Sequence, residues 1–178
     1  MSVATTLVTL RSQMASAAQM TTRSVVITSS VGGLTAVGYD FTFSWLAGST
    51  INSAIFPFCD TPLGTGTLPN SMNIDPSTLT SLGGTTGFPG SNVFSEYTAA
   101  DAGACTDHNA GAASTQFCIS RTADAATTAG TNATVAIDGV TNPTIPGGQN
   151  FETVYVRVTL YSDAAFARQV NHGSDAAE

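Results

Sequence analysis

Hydrophobic and polar residues alternate with a period of two along much of the chain after residue 23. In TAVGYDFTFSW the apolar positions are Val37, Tyr39, Phe41, Phe43 and Trp45, with Gly38, Asp40, Thr42 and Ser44 between them. That is the pattern of a strand with one buried face. FETVYVRVTLYS repeats it, with Val154, Val156, Val158 and Leu160 on one side and Tyr155, Arg157, Thr159 and Tyr161 on the other. Shorter runs at 24–29, 51–59, 92–98, 115–122 and 133–138 are strand-like as well. Seven strands at this spacing predict an all-β protein, an antiparallel β-sandwich of Ig-like or jelly-roll-like type.

Turn chemistry marks the breaks: Gly32 with Gly33, TPLGTGTLPN, Gly83 with Gly84, Pro89 with Gly90, and NPTIPGG. Pro57 lies inside a strand-like run, and a residue that cannot donate to a ladder predicts an edge or a bulge there. Asp75 as N-cap with Pro76 after it predicts one short crossover helix, ending at Gly83. Residues 1–22 stand apart as an N-terminal extension in which SVATTLVTL is strand-prone and RSQMASAAQM tolerates helix. Residues 23–178 carry no internal repeat or change of composition and read as a single sandwich domain.

Composition narrows the function. The chain has 178 residues, long enough to bury roughly 70% of its unfolded surface as one domain. It contains five Arg and no Lys and has a net charge of −7, so it offers no basic patch to nucleic acid. Charged residues make up only 10%, whereas Thr, Ala, Ser and Gly supply about half of the chain, so hydroxyls must form the polar surface. No apolar run reaches the roughly 18 residues of a membrane span. Ala15, Ser16 and Ala17 resemble a cleavage site, but the start is not basic and Arg11 interrupts the apolar stretch, so residues 1–20 read as mature sequence. The absence of Lys also excludes Lys–Asn isopeptide crosslinks.

Catalytic and metal chemistry find little support. The two histidines are His108, in a polar loop, and His172, and there is no GxSxG elbow, phosphate-binding glycine loop or singled-out carboxylate pair. No enzymatic activity, cofactor or metal is expected. Asp101, Asp107 and Asn109 carry oxygens of the kind calcium takes, without EF-hand spacing. Cys105 and Cys118 flank TDHNAGAASTQF with no CxxC, a spacing that suits a local disulfide better than a zinc site. Cys59 is then a buried free thiol, and three reduced core thiols are the alternative. Asn132, in AsnAlaThr, matches a glycosylation acceptor.

The phrases VVITSSVGGLTAVGYDFTFSW, INSAIFPFCDTPLGTGT, TLTSLGGTTGF, AIDGVTNPT and YVRVTLYSDAAF, in that order, resemble secreted Thr/Ser-rich β-sandwich surface proteins of candidate-phyla-radiation bacteria (Patescibacteria/Saccharibacteria-like) over roughly residues 24–167. The resemblance implies an extracellular, cell-surface component without enzymatic activity. The chain departs from that pattern where TPLGTGT replaces a second cysteine, leaving Cys59 without a local partner, and no membrane anchor is expected after the domain.

Two functional expectations follow. The first is a structural subunit of an extracellular filament, a pilus-like fibre, or of a surface layer. In it an incomplete sandwich accepts the extension of the next copy, a head-to-tail insertion that does not close. Ala4, Thr6, Val8 and Leu10 form the inserted face, with Val3 and Leu7 as the other register. Pairing of residues 1–10 within their own domain remains open. The partner is then the chain itself, with a host or neighbouring cell surface as a further contact. The second expectation is a monomeric adhesin or carbohydrate-binding module with Phe88, Phe94 and Tyr97 on its loops.

Overall fold

The structure is a computed structural model, and it describes residues 20–45, 50–62, 66–76, 78–79, 81–88, 92–108, 114–122, 132–145, 147 and 152–170. Nine strands run through it: β1 (Met20–Ile27), β2 (Val37–Trp45), β3 (Ser53–Cys59), β4 (Ser81–Thr86), β5 (Ser95–Glu96), β6 (Gln116–Ser120), β7 (Asn132–Val140), β8 (Tyr155–Val156) and β9 (Thr159–Tyr161). They form two antiparallel sheets. The first has the order β1-β2-β7-β4; the second has the order β5-β6-β3-β8, with β9 also on β3.

Alternation explains how the layers meet. Tyr39, Phe41 and Phe43 of β2 and Ala133, Val135 and Ile137 of β7 point inward from the first sheet. Ala54, Phe56 and Phe58 of β3 and Phe117 and Ile119 of β6 meet them from the second. Phe41 lies 5.1 Å from Phe56, and Tyr39 is edge-on to Phe58 at 5.6 Å. The outer face of the first sheet carries hydroxyls instead, with Thr42 and Thr134 in hydrogen-bond contact across the β2–β7 pair. That is the use the sequence makes of its threonines: a pleated face that can stand in water.

The outer face of the second sheet is covered by its own loops. Ile55, Cys118 and Tyr161 point outward there and pack with Cys105 and Phe166, flanked by Tyr97 and Ala102. Gly103, at φ +54°, sits where this cover crosses the segment at Ala165 and Phe166, and any Cβ would strike their backbone.

Three expectations are corrected. The described residues hold nine strands, three of them of only two or three residues, where about seven were expected, and no helix exists among them. The Asp75 signal gives a single turn, in which Thr78 and Leu79 donate their N–H groups to the Asp75 carbonyl. The chain then enters β4, because pairing with β7 outweighs the local cap: Gly83 lies so close to Asp138 that a Cβ would collide with its carboxylate. Pro57 is also not on an edge, since β3 is paired on both sides. Arg157 donates its N–H to the Pro57 carbonyl, and Pro57 has no N–H to return. The partner strand is consequently split into β8 and β9 although its register against β3 is continuous.

Candidate functional site: the open edge of the sandwich

The two long edges of the sandwich differ. At one, the chain leaving β4 and entering β5 carries Phe88 and Phe94 between the sheets with their rings 4.7 Å apart. The Arg121 guanidinium lies 4.7 Å from the Phe94 centroid, and its Nε donates to the Ile51 carbonyl at 2.9 Å. Phe94 is buried, and this edge is closed.

At the other edge lie β1 and β8, each with one hydrogen-bonded neighbour strand among the described residues. Register places Val25 beside Phe41 and Ile27 beside Tyr39, so both are on the inward face of the first sheet. Yet Val25 is 51% exposed and Ile27 39%, whereas Phe41 and Tyr39 are buried. Val154, Val156 and Val158 face them from the second sheet and are only half-buried. The result is an apolar groove between β1 and β8, which narrows at β9, where residues 168–170 pair along the outer side: the Val170 N–H donates to the Leu160 carbonyl and the Ser162 N–H to the Arg168 carbonyl.

The groove has distinct ends. Its lower end is where Met20 pairs with Trp45 and β7 begins at Asn132. Its upper end is formed by the β1–β2 connection and the segment after β7. There a pocket of about 330 Å³ is lined by Ile27, Tyr39, Asn142, Ile145, Glu152 and Val154, among others. Burial raises the Tyr39 pKa and keeps the phenol protonated, and its hydroxyl donates to Asn142 Oδ1 at 2.8 Å. Asn142 Nδ2 in turn donates to the Ser29 and Val31 carbonyls. This buried amide is satisfied within the fold, so it fixes the groove's floor and is not held open for a polar ligand. Around the rim, Val31 is 61% exposed, Leu34 42% and Ile145 45%.

The remaining predicted site residues are placed as follows. Val3, Ala4, Thr6, Leu7, Val8 and Leu10 lie outside the described residues, as do Asn109 and His172. Cys105 and Cys118 form a disulfide, with Cα atoms 6.4 Å apart, and Cys59 is a buried free thiol. Burial is the main reason the Cys59 pKa is raised, which leaves it an unreactive thiol. His108 is buried beside the disulfide, near enough that the two sulfurs and one ring nitrogen lie within 4.8 Å of one another. The sulfurs are bonded to each other, so this is a packed cystine rather than a pair of thiolate ligands. His108 Nε2 contacts the Ala99 carbonyl at 3.0 Å, and Nδ1 lies 3.6 Å from Asp101. Asp107 faces the other way and accepts hydrogen bonds from Thr115, so it is no dyad partner of His108. Asn132 is exposed at the first position of β7.

The loop aromatics do not form an exposed platform. Phe94 is buried, Phe88 packs against it and Phe43, and Tyr97 rests on Phe166 and donates to the Ala100 carbonyl. The groove-lining residues of β1 had one signal in the sequence: Val25, Val26 and Ile27 are consecutive, as in a strand buried on both faces, yet all three are exposed.

Fold and edge together define an all-β sandwich in which the described residues leave β1 uncovered along one side. No protein-family model, curated protein or solved structure matches the chain.

Proposed function

We propose that this protein is a structural subunit of an extracellular filament or surface layer, assembled head to tail by donation of a β-strand from the N-terminal extension. The carrying observation is the groove between β1 and β8, where inward-facing Val25 and Ile27 are 51% and 39% exposed and β1 has one hydrogen-bonded neighbour strand among the described residues. A strand-prone segment laid there supplies main-chain hydrogen bonds along the edge and alternate side chains to the groove. Ala4, Thr6, Val8 and Leu10 are the inserted face, each large aliphatic contributing roughly 1.5–3 kcal/mol when fully buried. The lysine-free, hydroxyl-rich surface supports the reading, since few long charged side chains must be ordered when subunits pack. So does the resemblance to secreted Thr/Ser-rich surface proteins, which is also the basis for a cell-surface location.

The test is deletion of residues 2–12, followed by size exclusion and electron microscopy. A soluble monomer that regains assembly when SVATTLVTL peptide is added supports donation in trans. Filaments formed by the deleted chain refute it. A full-length chain that stays monomeric, with the groove filled by its own extension, refutes it as well.

A further inference from the structure

We propose that reduction of the Cys105–Cys118 disulfide turns this part of the cover over the second sheet into a zinc site, with the two thiolates, His108 Nδ1 and the Asp101 carboxylate as ligands. The site is separate from the groove and does not depend on assembly. Cys105 and His108 are separated by two residues, a spacing that suits a pair of structural zinc ligands, but the sequence does not show what joins them. The fold supplies the rest. Reciprocal backbone hydrogen bonds between Ala102 and Cys105 turn the chain so that Asp101 comes beside His108, and β6 delivers Cys118. The two sulfurs and one ring nitrogen lie within 4.8 Å of one another, and all three side chains are buried.

His108 is oriented as a ligand. Its Nε2 lies 3.0 Å from the Ala99 carbonyl, which can only accept, so in the neutral ring Nε2 carries the proton and Nδ1 the lone pair. Metal-bound imidazoles are ordinarily fixed in this way, by donation from the other ring nitrogen. Nδ1 is buried and has no hydrogen-bond partner. Facing it at 3.6 Å is Asp101 Oδ1, a second electron-pair donor. Two such groups repel unless a cation lies between them, and a tetrahedral zinc sets its nitrogen and oxygen ligands about 3.4 Å apart.

Charge and donor type select the ion. Two thiolates, a neutral imidazole and Zn2+ sum to zero in the buried part, and the remaining negative charge belongs to Asp101, whose side chain is 58% exposed. Sulfur and nitrogen donors suit zinc, whereas calcium takes oxygens. A thiol reductant, as two RSH, gives two electrons and two protons to the cystine and leaves as its own disulfide. The cysteine thiols then lose those protons to solvent as zinc binds. In reverse, a disulfide oxidant takes two electrons from the bound thiolates and leaves as two thiolates, and the closing cystine expels the ion. The same loops are thus fastened by zinc before oxidation and by a covalent bond after it.

The test uses the full chain with Cys59→Ala, reduced by a phosphine without oxygen and freed of metal by a chelator. Titration with Co2+ should show one ion bound, with thiolate charge-transfer absorption and the d–d bands of a tetrahedral site, and Zn2+ should displace it. The oxidised chain should bind neither ion. His108→Gln should weaken zinc binding at least tenfold, and Asp101→Asn, at an exposed position, at least threefold with altered d–d bands. Oxidised glutathione should release one zinc for each cystine formed. No binding by the reduced chain, undiminished affinity in His108→Gln, or zinc retained after the cystine closes would overturn the site. If reduction unfolds the chain, zinc should restore its far-UV circular dichroism, and failure to do so would overturn the site as well. Unchanged affinity and spectrum in Asp101→Asn would overturn the carboxylate as the fourth ligand.

Discussion

The closed and open edges of this sandwich are made from similar residue types and reach opposite ends. At β4 and β5 the chain folds its own aromatics inward, so Phe88, Phe94 and Arg121 finish the core. At β1 and β8 comparable aliphatics are aligned by register with the core but no described segment lies over them. Inward alternation is thus insufficient to bury a side chain, because burial also requires a second layer above it. The edge strand makes the difference between a finished interior and a surface that can receive a strand.

The sharpest way to break this comparison is to truncate the closed edge. Phe94→Ala removes a buried ring from the Phe88–Arg121 stack and should cost about 3–5 kcal/mol in urea unfolding. A loss near zero would mean that this edge is not closed in solution. Next in size is the disulfide on the outer face of the second sheet. Cys105→Ala combined with Cys118→Ala opens a loop of sequence separation 13 and should lower stability by about 3 kcal/mol, read as the shift between unfolding midpoints. By contrast Val25→Ala, at the open edge, should change the stability of the unassembled chain by less than about 1 kcal/mol while weakening assembly. Equal costs for Phe94→Ala and Val25→Ala would erase the difference between the edges.

Charge gives the smallest and most pH-specific effects. Glu96 on β5, at the closed edge, has its pKa raised by burial, and its Oε1 finds no hydrogen-bond partner. A carboxyl with a raised folded-state pKa favours folding while protonated and loses that contribution as pH rises through the raised value. Glu96→Gln should therefore raise the melting temperature by a degree or two at about pH 7 and not at about pH 3. Asp163, after β9, behaves oppositely. Burial alone would raise its pKa, but the N–H groups of Ala165, Ala167 and Arg168 bind the carboxylate and hold it below the ordinary range. Its contribution is present above the usual carboxylate pKa and lost as pH falls through the lowered one. Asp163→Asn should thus destabilise the protein at neutral pH and make little difference in strong acid, as melting curves at both pH values will show.

Much of the sandwich was legible because period-two alternation survives wherever one face of a strand is buried. β2 matches its predicted run from Val37 to Trp45, and the inward set Val154, Val156, Val158 and Leu160 holds across β8 and β9. What was not legible depended on partners distant in sequence. β4 looked like a capped helix because Asp75 and Pro76 are a sound local signal, but the register against Ile137 and Asp138 decides its conformation. Pro57 looked like an edge marker because the sequence cannot say that the missing donor falls opposite one residue, Arg157, in an otherwise continuous register. Of the candidate site, the disulfide could be read from spacing. The groove could be anticipated only as a kind of feature, because its residues are singled out by what fails to cover them.

The interrupted ladder at Pro57 also has a mechanical consequence. β8 and β9 are held to β3 by short runs on either side of a missing bond, while β2 is paired along most of its length to both neighbours. One wall of the groove is consequently compliant and the floor beneath it is stiff. Amide hydrogens of β8 should exchange faster than those of β2, so that lip can yield without disturbing the aromatic core. A single proline in a central strand thereby separates the part of the domain that must hold its shape from the part that can give way.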